Sequence, residues 1–215
     1  MERMKDGQDC IYYMSGENVD HLRHSPQIEG FKKRGLDVLL FHDTIDDFWL
    51  PVVMNFKGKP FVSVTKGAID LSKFPVADKD PATPEVVAHT RAALLAFLKT
   101  HLADSVSDVR VSDRLTDSPV CLVASDTEAD LNVARILKVN QNYDVKARPV
   151  LEINADHPLI DQLDALAETS TESVALQDAA DLLLDQARII QGQPVDDPAA
   201  FARRMADFLR RGLAA

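Results

Sequence analysis

Two cysteines in 215 residues, Cys10 and Cys121, are too few to frame a fold with disulfides. Each sits in an apolar, strand-like run, so buried free thiols in a reducing compartment are the expectation. The N-terminal stretch Met-Glu-Arg-Met-Lys-Asp lacks the apolar core of a secretory signal. No apolar run approaches the length needed to span a bilayer, which sets aside the membrane and makes the cytoplasm the default. Positive charge is also scarce. Lys and Arg total 24 against 34 Asp and Glu, a formal net charge of -10, and nothing supplies the basic stripe that a nucleic-acid partner requires. Phosphate-cradling loops are missing too: Gly58-Lys59-Pro60 holds a Gly-Lys pair without a Walker loop around it. No nucleophile elbow occurs, and the six histidines fall in no Ser/Cys–His–Asp constellation. These absences predict a chain that works through surfaces and carries no complete catalytic site.

What is present suits a globular chain: 46% hydrophobic and 27% charged residues. From Cys10 to Lys66 short apolar runs alternate with helical segments. Strands are predicted at Cys10–Met14, Leu36–Phe41 (continuously apolar, as if buried on both faces) and Pro60–Thr65. Between them, Glu17–Lys33 reads as one or two helices broken at Ser25-Pro26 and closed by Gly35, and Ile45–Phe56 has helical periodicity. This order implies parallel strands in a small three-layer α/β subdomain. A Pro- and Asp-rich stretch then reads as a linker, dividing the chain into 1–74, a linker at 75–84, and 85–215. The second region is predicted as mixed α+β. A helix starts at Thr83-Pro84 and runs to His101, and strands lie at Val106–Val111, Val120–Ala124 and Pro149–Ile153. Capping boxes at Ser125-x-x-Glu128 and Thr169-x-x-Glu172 open helices to Val139 and Gln191, the latter stopped by Gly192. A short helix follows His157-Pro158, and Asp197-Pro198 opens the last one.

Candidate sites are few. Asp43, Asp46 and Asp47 cluster after a buried strand, where α/β ligands bind, and either hold a metal in a small α/β enzyme or cap a helix. His21-x-x-His24 lacks a clear third ligand. The sole tryptophan, in Phe48-Trp49-Leu50, is either core or contact residue. Ala129, Val133, Ile136 and Leu137 form one helical stripe. The last two helices stand apart. Leu176, Ala180, Leu183, Leu184, Ala187 and Ile190 leave the first only a narrow polar edge, so it needs neighbours on two sides. Phe201, Met205, Phe208 and Leu209 seam the second, opposite Arg203, Arg204, Arg210 and Arg211. The pair either caps its own domain or docks on a twofold copy as a four-helix bundle.

At these residues a resemblance emerges. RLTDSPVCLVAS (Arg114 to Ser125), LEINADHPLI (Leu151 to Ile160) and LLLDQARIIQGQPVDDPAAFARRM (Leu182 to Met205) resemble the C-terminal domain of the heat-shock protein 90 family. MKDGQDCIYY (Met4 to Tyr13), SPQIEGFKKRGLDVLLFHDTIDDF (Ser25 to Phe48) and FKGKPFVSVTKG (Phe56 to Gly67) resemble the end of its middle domain. The resemblance implies an ATP-driven homodimeric chaperone of which this chain is the C-terminal portion, with the ATP- and magnesium-binding domain upstream and no cofactor here. It implies dimerisation through the helix-pair residues named above. It also implies contact with non-native client proteins through Asp47, Phe48 and Trp49 and through Ala129, Val133, Ile136 and Leu137.

Overall fold

The computed structural model describes residues 2–43, 45–67, 69–76, 90–125 and 148–213, with Asp47, Phe48 and Pro51 described by backbone alone. The first region holds a four-stranded sheet in the order β2-β1-β4-β3. β1 (Ile11–Ser15) lies parallel to both β2 (Val38–Phe41) and β4 (Lys59–Ser63), as the strand–helix–strand pattern demands. β3 (Asn55–Phe56) pairs antiparallel with β4 through a two-residue turn, Lys57-Gly58, in which both residues take positive φ. On one face pack α1 (Val19–Arg23), a 3-10 turn (Pro26–Ile28) and α2 (Glu29–Lys33). Their anchors are Leu22, Ile28 and Phe31, set against Tyr12 and Met14 of the sheet. Asn18 caps α1 by accepting from the amides of Asp20 and His21, and Gly35 (φ +63°) follows α2, as its place in the sequence suggests.

The expectation that β2 is buried on both faces is not met. It is an edge strand, and Leu39 stands exposed. Its apolar continuity reflects coverage by α3 (Asp46–Val53) on the outer face, completing the three layers.

The second region holds β5 (Asp108–Val111), β6 (Val120–Val123) and β7 (Val150–Ile153) in the order β5-β7-β6. β7 runs parallel to β5 and antiparallel to β6, so this sheet is mixed. Both β6 and β7 are buried along their whole length. One sheet face, with Leu122, Leu151 and Ile153, meets α4 (Ala92–His101), α5 (Pro158–Thr169) and α6 (Val174–Ile190) in the main core. Because side chains alternate along a strand, Cys121 and Glu152 point from the other face towards the first region.

Three boundaries differ from the sequence reading. α4 follows Arg91, whose left-handed backbone (φ +45°) cannot continue a helix, while Thr83-Pro84 lies outside the described residues. α5 is longer than expected, and the Thr169 hydroxyl donates back to the carbonyls of Ala165 and Leu166 rather than capping α6. Ser173 takes the N-cap position of α6. The helix predicted to follow Ser125, from Asp126 to Val139, also lies outside the described residues.

At the end of α6 the Gly192 amide (φ +70°) donates to Ile189 and that of Gln193 to Arg188 at 2.9 Å, the paired bonds of a glycine-terminated helix. Asp197 caps α7 (Pro198–Leu213), accepting from the amides of Ala199 and Ala200 at 3.0 and 2.9 Å. Among the described residues no helix is long and apolar enough to cross a membrane.

Candidate interaction surfaces

Four aromatic rings form a layer between the first sheet and α3. Trp49 meets Phe41 and Phe61 edge-on at centroid distances of 5.5 and 6.1 Å, and Tyr13 meets the same two rings. The Trp49 indole N–H donates to Asp46 Oδ1 at 2.8 Å, which satisfies its one polar atom. Trp49 is therefore half-buried and chiefly a packing residue. The side chains of its predicted companions Asp47 and Phe48 are outside the description. Exposed apolar groups lie one turn further on: Val52, Val53, Met54 and Phe56, with Val52 76% and Met54 68% exposed. They sit where α3 ends at Met54 (φ +49°), immediately before the tight hairpin. The sequence signal was the apolar run directly before Lys57-Gly58, too close to a two-residue turn to fold inwards.

The acidic cluster has local employment. Asp43 Oδ1 accepts from the Ile45 amide, and Asp46 Oδ2 accepts from that of Asp43. No group of three or more potential metal ligands occurs among the described residues. The reading of this cluster as a metal-dependent active site gains no support. His24 Nδ1 lies 2.7 Å from the Asp20 carbonyl within its own helix.

In the helix pair, the predicted interface residues separate into two sets. Leu176, Ala180, Leu183, Leu184 and Ala187 are buried in the chain's own core against α4, α5 and β6. The neighbours that α6 requires are thus supplied largely within the chain. Phe201 and Phe208 of α7 are half-buried, and Arg204 reaches Asp178 at 3.4 Å and Asp181 at 2.5 Å on α6. Ile190, Met205 and Leu209 stay exposed, together with Ile189 and Leu213. Ala129, Val133, Ile136 and Leu137 lie outside the described residues.

A polar seam that sequence reasoning missed joins the two regions. Arg114, only 3% exposed, donates to the carbonyls of Val64, Lys66 and Gly67 just beyond β4. Its Nε pairs with Glu152 at 2.9 Å, and Arg110 meets the other oxygen of that carboxylate at the same distance. The Gly30 amide donates to the Arg114 carbonyl at 2.6 Å. A Cβ on Gly30 would lie 2.6 Å from that oxygen, so only glycine permits the approach.

Glu29 accepts from the amides of Thr116, Asp117 and Ser118 and from the Ser118 hydroxyl. Burial raises its pKa, but these four donors outweigh that and hold the carboxyl below its usual value. Ala124 donates to the Thr65 carbonyl at 2.8 Å. Finally, the side-chain carboxamides of Gln27 and Gln191 both donate to the carbonyl of Leu122, the latter at 2.7 Å. No short motif marks these residues, because the partners lie far apart in sequence.

Beside the seam, at the carboxyl ends of β1 and β4, is a cavity of about 430 Å³. Asn18, His21, Gln27 and Thr65 line one side and Gln191 and Gln193 the other. Its described lining contains neither lysine nor arginine, so it does not suit a phosphate. Cys10 and Cys121 are buried free thiols. Burial, followed by the Glu152 charge, pushes Cys121 well above the ordinary thiol value.

The described residues thus form a small α/β unit and a mixed α+β unit joined by a buried polar seam and ending in a half-covered helical hairpin. The sequence matches the Hsp90 protein family over residues 1–215, and the chain belongs to that family. It is 44% identical over 210 residues to the chaperone protein HtpG of Nitrobacter hamburgensis, covering 98% of this chain and 33% of that protein. The HtpG of Azorhizobium caulinodans is 45% identical over 211 residues (98% and 33%), and that of Roseobacter denitrificans 44% over 216 residues (99% and 35%). The chain spans about a third of the length of these curated relatives.

Proposed function

We propose that this chain is the self-associating and client-contacting portion of a cytoplasmic, ATP-dependent chaperone, and that it neither binds ATP and magnesium nor catalyses a reaction itself. The observation that carries this reading is α7. Over 16 residues it buries no side chain, and Met205, Leu209 and Leu213, at i, i+4 and i+8, are 40%, 60% and 89% exposed. A helix so weakly covered takes its stability from a partner surface. A second copy packing on this face and on the Ile189–Ile190 end of α6 completes a four-helix bundle. Holding two chains together in this way raises the effective concentration of whatever the rest of the protein attaches to them.

Light scattering across a concentration series tests the reading. The chain should show twice its own mass at tens of micromolar, and Leu209→Asp should return single-chain mass with an unchanged circular-dichroism spectrum. A monomer from the unaltered chain refutes the proposal. Client contact is assigned to the exposed strip Val52, Val53, Met54 and Phe56 beside Trp49, together with the stripe Ala129, Val133, Ile136 and Leu137. Replacing Val52 and Met54 by Asp should weaken suppression of client aggregation while dimer mass is kept. Saturable nucleotide binding by this chain in calorimetry would count against the division of labour.

A further inference from the structure

We propose that Arg114 is a pin that makes the first region and the helix pair one lever, so that a displacement of the first region is delivered to α6 rather than absorbed between the regions. Arg114 stands on the loop between β5 and β6, yet most of its donors serve the other region. Three carbonyls, of Val64, Lys66 and Gly67, receive them just beyond the end of β4. The Nε–H is held by Glu152 at 2.9 Å, itself on the central strand of the second sheet. A buried guanidinium in this setting cannot slide: any shift between regions strands a charge without water to replace its partners. Glu29 and Gly30 hold the same loop from the opposite side, Gly30 at a distance that leaves no slack.

The connection continues to the helix pair through a single atom. The Leu122 carbonyl takes one bond from Gln27 of the first region and one from Gln191, the residue that ends α6. Both lone pairs of that oxygen are thereby used, and moving either glutamine breaks one of its two bonds. The inference stands apart from the proposed chaperone role, since it concerns how the two regions move and not what they hold.

The test uses the whole 215-residue chain and two probes of urea unfolding. Trp49, the sole tryptophan, reports the first region, and far-ultraviolet circular dichroism reports chiefly α4 to α7. In the unaltered chain the two transitions should coincide. Arg114→Met should separate their midpoints by about 1 M urea, the fluorescence transition coming first. Gln27→Met, which buries no charge and removes the bond to Leu122 together with a long 3.5 Å one from the Ser25 hydroxyl, should give a smaller separation of the same order of events. This second variant keeps the test decisive if Arg114→Met does not fold. Light-scattering mass should stay that of the unaltered chain, so loss of coupling is distinguishable from loss of self-association. Transitions that remain coincident in both variants, whether shifted together or not at all, overturn the proposal and leave Arg114 as ordinary core support.

Discussion

Replacing Glu29 by Gln isolates the contribution of one charge to the seam. The carboxylate accepts three consecutive amide N–H groups, from Thr116 at 2.8 Å, Asp117 at 2.9 Å and Ser118 at 3.2 Å, all on one oxygen, while the other takes the Ser118 hydroxyl. Glutamine keeps the shape and one carbonyl oxygen but removes the charge. Hydrogen bonds to an ionised acceptor are about twice as strong as neutral ones, each contributing about 1.5–3 kcal/mol. Because Glu29 is half-exposed, solvent screens part of this, and the net loss should be about 1–2 kcal/mol. For a chain of this size that lowers Tm by about 2–8 °C.

The pH dependence has a definite sign. The folded pKa of Glu29 lies below its unfolded value, so its stabilisation is present above the unfolded pKa and disappears as pH falls through the folded one. Glu29→Gln should therefore be destabilised at neutral pH and converge on the unaltered chain in acid. Chemical unfolding in a pH series measures both. A variant within about 0.5 kcal/mol of the original at pH 7, or a gap that persists unchanged in acid, refutes the account.

Other consequences can be checked on the same material. Asp197→Ala removes the acceptor for two amides at the start of α7 and should lower the urea midpoint, read by circular dichroism. Gly192→Ala puts a side chain on a backbone with φ +70° and should cost about 1 kcal/mol, although no atom lies within 4 Å of the added Cβ. Leu183→Ala, inside the core, should cost about 2–5 kcal/mol, whereas Leu209→Ala should change the stability of the dissociated chain by less than about 0.5 kcal/mol, an asymmetry that unfolding at high dilution resolves. Cys121 should resist thiol reagents until the chain unfolds, so rapid labelling under native conditions would contradict its burial beside Glu152.

Local chemistry was the legible part of this fold. Asp197-Pro198, Gly192 and the break at Ser25-Pro26 each act through their own backbone or a neighbour within three residues, so a reader of the chain meets cause and effect together. The continuous apolar run Val120–Val123 likewise announced a strand, and the structure buries it along its whole length. Val38–Phe41, equally apolar and expected to be buried on both faces, is an edge strand with Leu39 exposed, because an apolar run does not say which strand ends the sheet. Thr169-x-x-Glu172 has the spacing of a capping box, but α5 takes Thr169 into its last turn. The seam was illegible for a further reason: Gln27 meets Leu122 across 95 positions and Arg114 meets Val64 across 50, and no single sequence displays such pairings.

The helix pair shows how far an apolar count can mislead about where a surface lies. α6 is rich in leucine and alanine, yet most of that richness is consumed by β6, α4 and α5, and its acids Asp178 and Asp181 are engaged by Arg204 from α7. α7 carries fewer apolar groups, and for that reason looks the less sticky of the two in sequence. It nevertheless leaves Met205, Leu209 and Leu213 uncovered along one side, because Arg204 and Phe208 are the groups it turns to α6 and the core, whereas the exposed apolar groups of α6 lie only at its ends. Among the predicted interface residues, those with the strongest pattern are therefore the least available to a second copy. The self-association proposed above therefore rests mainly on the second helix, which Arg204 ties to Asp178 and Asp181 of the first.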